Sequence, residues 1–213
     1  MGKYILGCLG VAALALVLFI IIAVVGGIGG YNHLVGLKQN VDSQWAEVQN
    51  QYQRRFDLIP NLVNTVAGAA NFEKSTLIAV TQARASVGQI KLDPSQAPVN
   101  PAQLQQYEAA QNQLGNALSR LLVVSEKYPD LQSNQNFLGL QTQLEGTENR
   151  ITTARFGFNQ AAQGYNTAVQ TFPTVLYAGM LGFTQRPYFQ AATGAENAPQ
   201  VKFDFNNSTN STQ

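Results

Sequence analysis

FLGLQTQLEGTENRITTARFGFNQAAQGYNTAVQTF, residues Phe137 to Phe172, places an apolar or small side chain at each step of one seam. The seam is Phe137, Leu140, Leu144, Thr147, Ile151, Ala154, Phe158, Ala161, Tyr165, Ala168 and Phe172, in strictly alternating steps of three and four. That is the 3.5-residue period of a helix packed along its length, not the two-residue period of a strand.

The same period extends toward the N-terminus. A helix opening with Asn100 as cap and Pro101 in its first turn carries Leu104, Tyr107, Gln111, Leu114, Leu118, Leu121 and Val124, and stops before Tyr128-Pro129. An earlier helix, capped by Asn71, carries Phe72, Leu77, Val80, Ala83, Val87 and Ile90. Between these two, Leu92 to Pro101 holds three prolines among polar residues and reads as the most mobile connection. Before them all, Leu34, Leu37, Val41, Trp45, Val48, Tyr52, Phe56, Ile59, Leu62 and Val66 make a first seam, whose phase survives Pro60. A helical proline removes the backbone bond to the residue four before it, here Phe56, and costs ~3 kcal/mol. The unbroken phase therefore predicts a kinked helix or two coaxial pieces, the second capped by Asp57. Short connections make neighbouring helices antiparallel. The fold class expected is all-α: an N-terminal transmembrane helix followed by an elongated antiparallel four-helix bundle with coiled-coil-like packing.

The membrane helix is read from the start of the chain. No charged residue stands between Lys3 and Lys38, and Ile5 to Ile28 is aliphatic apart from Gly, Ala, Phe and Cys. At ~1.5 Å per residue, Tyr4 to Tyr31 spans roughly 40 Å, and both tyrosines fall where aromatic belts sit. Tyr4, Ile5, Ile28 and Tyr31 thus delimit the anchor. A cleaved signal peptide is the rival reading, with Gly27-Ile28-Gly29 as a small-x-small site, but its apolar region would be shorter. Leu6-Gly7-Cys8 resembles a lipobox, yet the apolar run follows this cysteine instead of preceding it. The chain divides into an anchor (1–30), a helical bundle (31–190) and a flexible polar tail (191–213). Asn-x-Ser/Thr matches in that tail arise from a run built almost wholly of Asn, Ser and Thr.

Composition narrows the chemistry. The 213 residues carry 13 Lys and Arg against 12 Asp and Glu, so no basic field invites nucleic acid. Eighteen Asn and 24 Gln make the surface largely uncharged amide. Cys8 is the only cysteine and His33 the only histidine, which excludes an intrachain disulfide and any Ser-His-Asp, Cys-His or His-rich zinc site. Glu145 and Glu148 have helical spacing, but a dinuclear bundle site would also need Glu-x-x-His pairs. No phosphate loop or nucleophile elbow appears. No catalytic residue, cofactor or metal is expected.

Most of the domain's charge belongs to Arg54, Arg55, Asp57, Glu73, Arg84, Arg120, Glu126, Glu145, Glu148, Arg150 and Arg155. Three readings are open: a polar layer that fixes helix register, surface pairing, and a ligand site. Arg54, Arg55, Asp57 and Pro60, inside RRFDLIPN, are read as a structural joint.

Four stretches resemble the LemA family of bacterial membrane proteins and together cover roughly residues 31 to 190. They are YNHLVGLKQNVDSQWAEVQNQYQRRFDLIPNLVNTVAGAANFEKSTLIAVTQARA, ALSRLLVVSEKYPDLQSNQNFLGLQTQLEGTENRI, YNTAVQTFP and GFTQRPYF. Arg155-Phe156-Gly157-Phe158 departs from the pattern, since such proteins carry more arginine before an aromatic-Asn pair. The resemblance implies one membrane anchor followed by a helical bundle, and scaffolding or membrane shaping in place of a reaction.

Three functional classes follow. The first is a non-enzymatic membrane-anchored scaffold that self-associates and organises the bacterial membrane, its partners being the lipid bilayer and further copies of itself. The second is an adaptor or sensor for another membrane protein, such as a membrane peptidase. An enzyme is the third and has the least behind it. The location expected is the bacterial inner membrane, single-pass. Lys3 on the short side favours a cytoplasmic N-terminus and an extracytoplasmic bundle, whereas general descriptions of the family place the bundle in the cytoplasm.

Overall fold

The computed structural model describes residues 2–69 and 72–190, with side chains described from residue 14 onward except at 19, 22 and 23. Among these residues every regular element is helical: α1, Gly2–Ala67; α2, Lys74–Gln89; α3, Pro101–Ser125; α4, Pro129–Gln132; α5, Gln135–Gln170; and a 3-10 turn at Thr174–Leu176. The tail beyond residue 190, with its Asn-x-Ser/Thr matches, lies outside the described residues, as do Asn71 and the side chains of Tyr4, Ile5 and Cys8.

The helices begin and end where local chemistry dictates. Asn100 accepts from the Ala102 N–H at 2.9 Å with Pro101 in the first turn of α3, and Asn134 accepts from the Asn136 and Phe137 N–H groups at the start of α5. Helix α2 starts at Lys74 with Glu73 in the capping position, so Phe72 precedes the helix and packs its ring on Tyr128 instead. At the far end, α5 stops at Gln170 and Phe172 is exposed. The seam fails at its last step because Pro173 follows, and the residue before a proline is disfavoured in helical conformation.

Helix α1 contains 66 residues and passes through Pro60 without a break. The expected capping role of Asp57 is therefore not realised: its carboxylate accepts from Gln53 Nε2 on the exposed surface. The carbonyl that Pro60 leaves without its usual partner, Phe56 O, accepts from Arg84 Nε of α2 at 3.4 Å, and the same guanidinium lies 3.8 Å from the Phe56 ring centroid. A neighbouring helix thus supplies what the proline removes.

Helix α1 packs most extensively on α5, and α2 on α3. The first pair is antiparallel, since Trp45 meets Phe158 while Arg55 meets Glu148. The second is also antiparallel, since Phe72 just before α2 meets Tyr128 just after α3. Trp45 and Tyr52 join the pairs by edge contacts to Tyr107 of α3. Leu34, Val41, Trp45, Val48, Ile59, Leu62 and Val66 of the first seam are buried, with Leu37 and Phe56 packed at its margin.

Among the described residues, no helix is long and apolar enough to cross a membrane. The described side chains of the N-terminal run, from Leu14 to Ile28, are exposed along α1, and Tyr31 follows them at the start of the packed region.

Candidate functional site

Arg55 sits three residues after Tyr52 and four before Ile59, so it shares their buried face and is only 3% exposed. Its Nη1 donates to Glu148 Oε1 of α5 at 2.6 Å; its Nη2 donates to the side-chain and backbone oxygens of Gln111 of α3. The guanidinium also lies 5.2 Å from the Tyr52 ring centroid. With Arg84 reaching Phe56 one residue on, four helices contribute to this layer. Arg54 and Asp57, by contrast, are exposed, and Pro60 is half-buried. Of the residues read as a joint, the structure brings Arg55 alone into ionic contact with other helices. The signal was present in the steps from Tyr52 to Arg55 to Ile59, which compete with Phe56 for the same turn of the seam.

A second layer lies toward the N-terminal half of α3. Glu108 pairs with Arg155 of α5 at 2.5 Å and accepts from the Gln190 N–H at 3.3 Å, while Arg155 Nη2 also donates to Gln190 O. Burial pushes the Glu108 carboxyl above its ordinary value, with Arg155 opposing the shift. Arg155 spreads over the Phe189 ring, whose other neighbours are Trp45 and Phe158.

Residues 184–190 form an extended strap along α5. Asn166 donates from Nδ2 to Arg186 O and accepts from Arg186 N, both at 2.8 Å; Asn159 does the same with Phe189 O and N, both at 2.9 Å. The buried Arg186 then reaches from Nη1 to Ala97 O at 2.9 Å, and Asp42 of α1 accepts from Ala97 N at 2.9 Å. Trp45 Nε1 donates to Asp93 O nearby. The proline-rich connection read as mobile is therefore held at both ends of the Ala97 residue and again at Asp93. Glu108, Asp42, Asn159, Asn166 and Arg186 were not legible as a group, because every partner is distant in sequence.

One cleft of about 330 Å³ opens beside these layers, lined by Gln49, Tyr52, Phe56, Gly88, Tyr107 and Gln111 among others. Burial pushes the Tyr52 phenol up to about 12 and raises Tyr107 as well. Both stay protonated near neutrality and can donate hydrogen bonds, but neither is poised as a base at that pH. Among the described residues, no three His, Cys, Asp or Glu side chains converge as a metal site.

The LemA family profile matches residues 44–203. Among characterised relatives, Magnetosome protein MamQ 2 of Paramagnetospirillum magneticum is 29% identical over 75% of this chain and 64% of its own length. Magnetosome protein MamQ of Magnetospirillum gryphiswaldense is 28% identical over 80% of this chain and 70% of its own. Protein LemA of Metamycoplasma hominis is 25% identical over 78% and 71%. This chain thus spans a little under two thirds of the first MamQ protein. The profile match includes the Arg55 layer, the Glu108–Arg155 pair and the strap with its two asparagines. The chain belongs to the LemA family.

Proposed function

We propose that this protein is a non-enzymatic, membrane-anchored scaffold: residues 1–30 hold it in the bilayer, residues 31–190 form a rigid helical bundle, and self-association organises the membrane around it. The observation that carries this reading is the continuity of α1. The aliphatic side chains from Leu14 to Ile28 lie bare on the same unbroken helix whose next turns, from Leu34, are buried in the domain. Bare aliphatic surface in water costs about 25 cal/mol per Å², a cost that lipid removes. The names of the MamQ relatives, as magnetosome proteins, are compatible with a role in organising a membrane compartment. The Arg55 layer is read as a joint that sets helix register, since its cation is held by two other helices, through Glu148 and Gln111. Lys3 on the short side of the apolar run favours an extracytoplasmic bundle.

The test is extraction of the full-length protein in mild detergent, followed by imaging and native mass spectrometry. A homomeric ring or lattice is the expected result. A stoichiometric foreign membrane protein would replace the scaffold with an adaptor, and full release of the protein by alkaline carbonate would remove the anchor.

A further inference from the structure

The segment after α5, FPTVLYAGMLGF from Phe172 to Phe183, has two sides. Its inner side is packed: Ala178 and Phe183 are buried, and the Phe183 ring meets the edge of Tyr31 at 5.6 Å. Tyr177 lies across α1 at Gly30, so closely that a Cβ there would collide with the Tyr177 hydroxyl. Backbone bonds from Ala178 N to Thr174 O and from Phe183 N to Ala178 O, both at 2.9 Å, fix the loop's path, and Gly182 supplies the one positive φ, 79°, that it needs. Its outer side is bare. Phe172 is 75% exposed, Leu176 67% and Met180 87%, with Val175 and Leu181 beside them.

An ordered loop that presents Phe172, Val175, Leu176, Met180 and Leu181 outward marks a contact surface. Its position says what it contacts. The loop is seated on α1 at Gly30 and Tyr31, where the bare aliphatic stretch of α1 ends, so the loop adjoins that stretch. Charge is absent on both sides of the contact: none stands between Lys3 and Lys38 on α1, or between Arg155 and Arg186 across the end of α5 and this loop. Tyr177, Phe183 and Tyr31 meet where the loop is seated on α1, and aromatic side chains are enriched at bilayer interfaces.

We propose that residues 172–181 form a second membrane contact, a loop whose Phe172, Leu176 and Met180 enter the headgroup region beside the point where α1 leaves the bilayer. The proposal rests on the anchored reading above. Two contacts that are far apart in sequence and adjacent in space fix the tilt of the domain on the membrane, which one helix alone leaves free.

The test uses the full chain with Cys8→Ala, reconstituted in vesicles of phosphatidylcholine and phosphatidylglycerol in equal parts. Single cysteines at Met180, Val17 and Ser133 are labelled with an environment-sensitive nitrobenzoxadiazole dye. Ser133 lies at the opposite end of α5 from the loop. The Met180 probe should be blue-shifted and quenched about two-fold or more by lipids bearing a nitroxide near the headgroup, with less quenching from nitroxides at the bilayer centre. The Val17 probe should show the reverse depth order, and Ser133 should respond to neither. Quenching at Val17 with none at Met180 overturns the loop contact and leaves the anchor standing. No quenching at Val17 overturns the anchor itself, whatever the loop does. A Met180 probe that is blue-shifted but unquenched at either depth is covered by protein, which also overturns the proposal.

Discussion

Asn159 and Asn166 stand seven residues apart on α5, and the strap residues whose backbones they hold, Phe189 and Arg186, stand three apart in the opposite direction. Seven residues of helix rise ~10.5 Å and three of extended chain ~10 Å, so both amides engage at once. Each asparagine offers the donor and acceptor that a neighbouring strand would offer. Replacing Asn166 with Leu should cost about 2 to 4 kcal/mol, three hydrogen bonds, one of them to the Tyr188 hydroxyl, plus the penalty of burying the Arg186 backbone groups unpaired. Urea unfolding of a 31–190 fragment would read the loss as a lower midpoint at unchanged slope. A change below about 0.5 kcal/mol would mean that Phe189 alone holds the strap.

That fragment is itself a prediction. Residues 31–190 without the apolar run should be highly helical and melt in one cooperative transition. A spectrum dominated by strand or coil would show that the packed region depends on what precedes it.

The seam supplies a contrast within one helix and its end. Leu144→Ala and Phe158→Ala should each lose roughly 2 to 5 kcal/mol, because both side chains are buried on α5. Phe172→Ala should change the stability of the fragment by less than about 0.5 kcal/mol, because the ring is bare. Equal losses at all three would put Phe172 inside the core.

Arg54 and Arg55 are chemically identical and should behave differently. Arg55→Lys should cost about 1 to 3 kcal/mol, since an ammonium cannot reach Glu148 and Gln111 together in the geometry of the guanidinium fork. Arg54→Lys should lie within about 0.5 kcal/mol of the parent. Removing Glu148 leaves the buried Arg55 cation with Gln111 but no counter-ion, so it should cost a comparable amount, about 1 to 3 kcal/mol. Double-mutant cycles on Arg55 and Glu148 would return the coupling directly, and a value near zero would remove the joint.

Three buried phenols predict how alkali acts. Burial raises Tyr107 and Tyr165 and pushes Tyr52 up to about 12. The unfolded phenol ionises near pH 10, so the folded protein keeps these protons longer than the unfolded chain. Their contribution is complete below about pH 10 and is lost as pH rises through 12, with Tyr52 alone worth on the order of 2 to 3 kcal/mol. Denaturation midpoints measured across that window should fall, and Tyr52→Phe should flatten the fall. A flat profile in the parent would show that the phenols are open to water.

Local pattern was enough for the seams of α1, α3 and most of α5, because burial on one helix face leaves a period that no distant residue needs to explain. It was enough for the Asn100 cap, where side chain and N–H are two residues apart. At Pro60 local rules left a kink or a break as the options, since the helix is completed by Arg84 from α2. The connection around Pro94 and Pro98 looked mobile on the same grounds, yet the groups that hold Ala97 come from Asp42 and Arg186, far from it and from each other in sequence. Arg54 and Arg55 are neighbours of one type, and only the three-and-four phase separates the buried one from the exposed one.

The stacking of Phe189 on Trp45 sets an order of events during synthesis. The aliphatic stretch is made before the packed region that follows it. Trp45 follows early, but its cover arrives only when the strap has been translated. The core is therefore closed by its last-made part, and until then the nascent protein must live with an open indole, an unheld proline-rich connection and a half-built hydrophobic face.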